Sequence, residues 1–176
     1  MPEQVELYCV TTSMHHYAKT IAISVTAQFD KADAEKKYFY ESLERISPDR
    51  KLFNNSALKV LAIGEKMLLG EMEYHKDNYE VAFSYLRESV KRYDNLHYSE
   101  PWPWMHPPRH ALGALLLEQG HYEEAEAVYR GDLGLNDKAP RCTQHKNNVW
   151  AMHGLVECLK ARNEDIERNR LQGILT

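Results

Sequence analysis

The chain has 176 residues, of which 43% are apolar and 27% charged, with a formal net charge of −4; this fits one domain or one short repeat array able to bury a core. The mild negative charge argues against wholesale binding to nucleic acid or an anionic membrane, which needs concentrated basic charge. Cys9, Cys142 and Cys158 are too few and too scattered for a disulfide framework, no apolar stretch reaches membrane-spanning length, and the start carries no basic n-region, so a cytoplasmic location is expected.

In chain order, the first dozen residues show no clear helical period. Ser13 is placed as an N-cap, ahead of a helix over His15–Gln28 and a second over Lys31–Leu43 that carries Ala34 and Tyr38. Ser47-Pro48-Asp49-Arg50 breaks the chain. A long helix follows from about Ser56 to His75, with Leu58, Leu61, Ala62, Leu68, Leu69 and Met72 on one stripe. Asp77-Asn78 supplies a turn, and Tyr79, Ala82, Leu86 and Val90 mark the face of its partner helix. Residues 95–106 are rich in proline and aromatics, too apolar for a free linker, and are expected to fold back onto the helices. The best-formed pair then spans 107–133. Pro107 and Pro108 open a helix that carries Gly113, Gly120 stops it, and Tyr122, Ala125 and Tyr129 line one face of the next. Trp150 and Gly154 repeat the start of that pair, before a charged and poorly patterned helix over about Asp165–Leu171.

The spacing of Leu112-Gly113, Gly120, Tyr122, Ala125 and Tyr129, echoed by Leu69-Gly70, Asp77-Asn78, Tyr79, Ala82 and Leu86, resembles the tetratricopeptide repeat, a helix–turn–helix unit of about 34 residues. Glu100-Pro101-Trp102, Arg109 to Gly113 and Asn148 to Leu155 resemble little-characterised tetratricopeptide-like proteins of bacteria and fungi, over about residues 14–160. In those proteins this segment tends to be the C-terminal part of a longer chain. The resemblance implies an all-α fold: one domain over 1–176, a right-handed α-solenoid of about four antiparallel hairpins near 14–46, 56–93, 107–133 and 147–172. Offsets of about 48, 43 and 41 residues exceed the usual period, so the array is expected to be irregular, with the aromatic loop as an insertion.

In such arrays the first helices line a concave face that binds a protein or peptide, and the resemblance places His16, Lys19, Met67, Glu71, Tyr74, His75, His110, Ala114, Leu117, Glu118, Asn148, Ala151, Leu155 and Cys158 there. Only Lys19 and Asn148 match the Lys/Asn/Arg set that clamps peptide C-termini in some members. Trp102 and Trp104, held between prolines, are read either as a stacking platform for a ligand or as an apolar plug, and the plug is favoured. Arg109, at a helix start, could reach an anion.

Nine histidines raise a second reading. His16, Glu71, His110, His153 and Glu157 all fall on first helices, and a His/Glu cluster suits a borderline divalent metal such as Zn²⁺. A small metal-binding protein or metal-dependent enzyme is the alternative to an interaction module, against a plain His153–Glu157 hydrogen bond or exposed residues at the chain's end. Cys142, His145, His153 and Cys158 do not suit zinc, because residues five apart on a helix diverge by about 140°. No Gly-rich phosphate loop, GxSxG elbow or HExxH is present, so the reading leans away from an enzyme and implies no firm cofactor. Self-association is a further expectation, since a weak closing helix would leave apolar surface for a second copy.

Overall fold

The computed structural model describes residues 2–175, with side chains from Cys9 onward; Met1 and Thr176 lie outside it. The described residues form eight α-helices, one short β-ribbon and one 3-10 turn, so the fold is all-α. The chain makes two compact units, Met1–Met105 and His106–Thr176.

The first unit contains α1 (Pro2–Val25), α2 (Phe29–Leu43), the ribbon β1 (Lys51–Leu52) with β2 (Asn55–Ser56), α3 (Ala57–His75) and α4 (Tyr79–Asp94). α1 packs on α2 and on α3, and α3 packs on α4. α1 begins far earlier than the sequence pattern indicates, and its buried stripe explains why. Cys9, Val10, Ser13, Tyr17, Thr20 and Ser24 are buried at helical spacing, but three of the six are serine or threonine, which hide the apolar period. Ser13 is therefore not an N-cap. It sits inside α1, where its hydroxyl donates to the carbonyl of Cys9 at 2.9 Å and lies 2.7 Å from the Ser42 hydroxyl of α2. Ser24 bonds back to Thr20 in the same way, the local alternative that such side chains offer inside a helix.

Four helix-to-helix turns share one construction. Ala27, Asp77, Gly120 and Asn163 each take a positive φ, between 55° and 79°. The residue after each donates its backbone N–H five residues back, Gln28 to Ile23, Asn78 to Glu73, His121 to Leu116 and Glu164 to Leu159. This is the Schellman closure, which satisfies orphan helix carbonyls and needs one left-handed residue. Five residues past the left-handed position stands Ala32, Ala82 or Ala125, each fully buried, and in the last pair Arg168. The register of the first pair thus differs from that read in the sequence. Ala34 and Tyr38 are exposed, and Ala32 and Phe39 take the core.

The ribbon at 51–56 has no signature in the apolar pattern, and it anchors the aromatic loop. The side-chain amide of Asn55 accepts from the backbone N–H of His97 and donates to its carbonyl, both at 2.8 Å, and Asn54 donates to the carbonyl of Tyr98. The loop does fold back. Trp104 is 2% exposed, lies against Gly64 of α3 where any Cβ would collide with it, and donates its indole N–H to the Met67 sulfur at 3.1 Å. Tyr17 meets the indole edge to face, with ring centroids 5.2 Å apart.

The second unit holds α5 (Pro108–Glu118), α6 (Tyr122–Asp132), the 3-10 turn at Arg141–Thr143, α7 (Val149–Ala161) and α8 (Asp165–Leu175). α5 packs on α6, and α7 packs on α5, α6 and α8. The Tyr129 ring lies against both Gly113 of α5 and Gly154 of α7, so these two glycines set how closely the three helices approach. α8 buries none of its residues. It is held by a two-pronged ion pair from Arg130 to Glu167, at 2.9 and 2.6 Å.

Candidate functional site

The segment between α6 and α7 is tied to its surroundings by polar bonds. Asn136 donates to the carbonyl of Ala127 at 3.0 Å, Gln144 to that of Ala139 at 3.0 Å, and Arg109 to that of Lys138 at 3.4 Å. At its end, the backbone N–H of His145 donates to the carbonyl of Asp132 at 2.6 Å. That bond sets the His145 side chain beside the carboxylate at the end of α6.

Three side chains converge there. Asp132 Oδ2 accepts from His110 Nε2 at 2.9 Å, and Asp132 Oδ1 accepts from His145 Nδ1 at 2.7 Å. The two imidazoles stand edge to face, 5.9 Å between centroids. The Asp132 side chain is fully enclosed, that of His145 is 1% exposed and that of His110 20%, so the cluster meets solvent through His110. Burial works against an ionised carboxyl, but the hydrogen bonds from His110 and His145 hold Asp132 below the usual carboxylate range. Among the described residues this is the one group of three or more His, Cys, Asp or Glu whose ligand atoms lie within 4.8 Å of one another.

Of the residues read from the sequence as metal candidates, His110 alone belongs to this group. His16 instead bonds Glu35 at 2.5 Å, stacks on Tyr38, and shares that buried carboxylate with Lys19 at 2.7 Å. His153 is exposed, so it does not take the core place read for it, and Glu157 lies 3.6 Å from Lys160. Burial pushes the Glu71 carboxyl up to about 7. Cys142 is exposed and Cys158 fully buried; burial raises the Cys158 thiol to about 12, the behaviour of a small core residue.

The partner-binding set also divides. Met67, Tyr74, Trp104 and Arg109 are buried, which removes them from any surface; Trp104 is the plug. Ala151, Leu155 and Cys158 are likewise interior. Asn148 caps α7, its side chain accepting from the Ala151 N–H at 3.1 Å. His75 is half-buried, and Lys19 and Trp102 are exposed. On α5, His110, Ala114, Leu117 and Glu118 form a partly or fully exposed stripe, with the spacing of one helix face.

Asp132 and His145 went unassigned in the sequence-based metal set. One signal did point to Asp132. It falls seven residues after Ala125 and three after Tyr129, on the buried face, and at a helix C-terminus where the macrodipole disfavours an anion. An acid in such a place asks for a partner. His145 carries no comparable signal, because its role depends on where an irregular segment runs.

No protein-family model, no curated protein and no solved structure matches the chain.

Proposed function

We propose that the chain is a tetratricopeptide-like interaction module, built as a stack of helix hairpins, that takes a protein or peptide segment on the face formed by its first helices. The observation that carries this reading is the recurrence of one turn: four times a helix closes through a left-handed residue and the same five-residue-back hydrogen bond before the next helix begins. A unit repeated in this way leaves each pair's apolar face to be covered by a neighbour, which is the logic of a helical array. Contacts of α1 with α3, and of α5 with α7, fit first helices lying side by side within each unit. Within the first unit the first helices offer exposed Lys19 and part-buried Glu71 and His75; within the second, taken by itself, α5 offers His110, Ala114, Leu117 and Glu118. Mixed charge around a few apolar positions suits an extended polypeptide better than a nucleic acid.

A displayed-peptide selection against the purified protein, followed by chemical-shift mapping of the best binder, tests the reading. The expected result is a footprint on these residues, with Ala114→Arg and Glu118→Lys each weakening binding about tenfold, a change of about 1.4 kcal/mol. A footprint confined to the outward faces of α2, α4 and α6, or no selectable binder, would overturn it.

A further inference from the structure

The arrangement around Asp132 keeps a carboxylate out of water between two imidazoles. Its carboxylate is fully enclosed and stands at the C-terminal residue of α6. The negative end of a helix dipole and the loss of water both oppose an anion in that place. Among the described residues its ion-pair partners are the two imidazoles, with no lysine or arginine. The donors gathered there are two imidazole nitrogens and a carboxylate, the set that suits a borderline divalent ion.

We propose that His110 Nε2, His145 Nδ1 and Asp132 form a binding site for a divalent transition-metal ion of the zinc type. The donor atoms already lie within 4.8 Å of one another. Bonds of about 2.0–2.2 Å to a tetrahedral ion put its ligand atoms about 3.3 Å apart. The N–O separations of 2.7 and 2.9 Å therefore lengthen by about half an ångström as the two nitrogens draw together around the ion. Each nitrogen that now donates an N–H must present a lone pair instead. The proton passes to the other ring nitrogen of the same imidazole, for His110 through solvent and for the enclosed His145 as the site opens to admit the ion, so two neutral histidines release no net proton, and a protonated one releases one per ion bound. Since the opening to solvent lies on the His110 side, a water completes the coordination there.

The bound ion joins the first turn of α5, the end of α6 and the segment leading into α7. It is thus a staple for the second unit; His110 also lies on the face proposed for a peptide, and the two proposals are told apart because they share neither assay nor substitution.

Tag-free protein, stripped with chelator and dialysed, is titrated with Zn²⁺ by calorimetry and with Co²⁺ by visible absorption. One ion per chain is expected, with the intense d–d bands of a four- or five-coordinate Co²⁺ and a melting temperature that rises on loading. Asp132→Asn and His110→Gln should each lower affinity at least roughly tenfold, while His153→Gln, on the exposed face of α7, leaves it unchanged. His110→Gln keeps an N–H for Asp132, and circular dichroism of the stripped variant establishes that it folds. Failure of the folded wild-type chain to bind a stoichiometric ion would overturn the proposal. So would binding that survives both His110→Gln and Asp132→Asn.

Discussion

The ring of Tyr129 occupies the space that a side chain on Gly154 would need, and it does the same to Gly113 from the other side, where a Cβ would stand 2.7 Å from the ring. α5, α6 and α7 meet at this one aromatic side chain. The spacing between helices is set by the absence of two methyl groups.

Gly154→Ala and Gly113→Ala should therefore each destabilise the second unit by about 1–3 kcal/mol, as overpacking does. Both sites are helical with ordinary backbone angles, so helix propensity alone would favour alanine by about 1 kcal/mol. Urea denaturation separates the two effects, because their signs differ. A stabilised Gly154→Ala would mean that the ring can move aside.

Glu71 carries the clearest pH signature. Its carboxyl is pushed up to about 7 by burial, from an ordinary 4.5, so the folded chain holds a proton that the unfolded chain has lost. Stability then falls as pH rises from about 4.5 to about 7 and is flat above that window. Glu71→Gln should remove this slope and stabilise the chain at pH 8 by up to about 3 kcal/mol. Thermal melts of both proteins across that range measure it.

Asp132 behaves in the opposite sense. Its folded carboxyl lies below the ordinary range, so its contribution is present above the unfolded value of about 3.9 and is lost as pH falls through the folded value. Asp132→Asn should cost about 1–3 kcal/mol at neutral pH, since an amide offers one acceptor to two imidazole donors. The difference from the wild type should narrow below pH 4 in acid titrations followed by circular dichroism.

α8 contributes little to the fold that precedes it. None of its residues is buried, Ile166 is 92% exposed, and its main tie is the half-exposed Arg130–Glu167 pair. A chain ending at Glu164 should lose less than about 1 kcal/mol, measured from urea midpoints. Amide exchange in the intact chain should be fastest in α8, because eleven residues without a packed face make a marginal helix.

Most of the helices and two of the four turns are legible from local pattern alone. Gly120, Asp77-Asn78 and the apolar stripes of α3 to α6 carry period and punctuation in the chain itself. The start of α1 is not legible, because Ser13, buried inside it, reads as the cap of a later helix. The first turn falls close to the break read between Gln28 and Lys31, but its left-handed residue, Ala27, has no glycine or asparagine to announce it. The ribbon at 51–56 is two residues on each side and depends on Asn55 reaching His97.

What the sequence determined by itself is the all-α character, the α3–α4 and α5–α6 pairs and the inward fold of the aromatic loop, since these follow from periodicity, turn chemistry and the cost of leaving tryptophan in water. Only the tertiary structure decided which polar groups are buried together. His16 meets Glu35, Trp104 covers Gly64, and Asp132 gathers His110 and His145 across 22 and 13 residues of chain. Such pairings are set by where an irregular segment comes to rest against a helix end, and helical spacing carries no record of that.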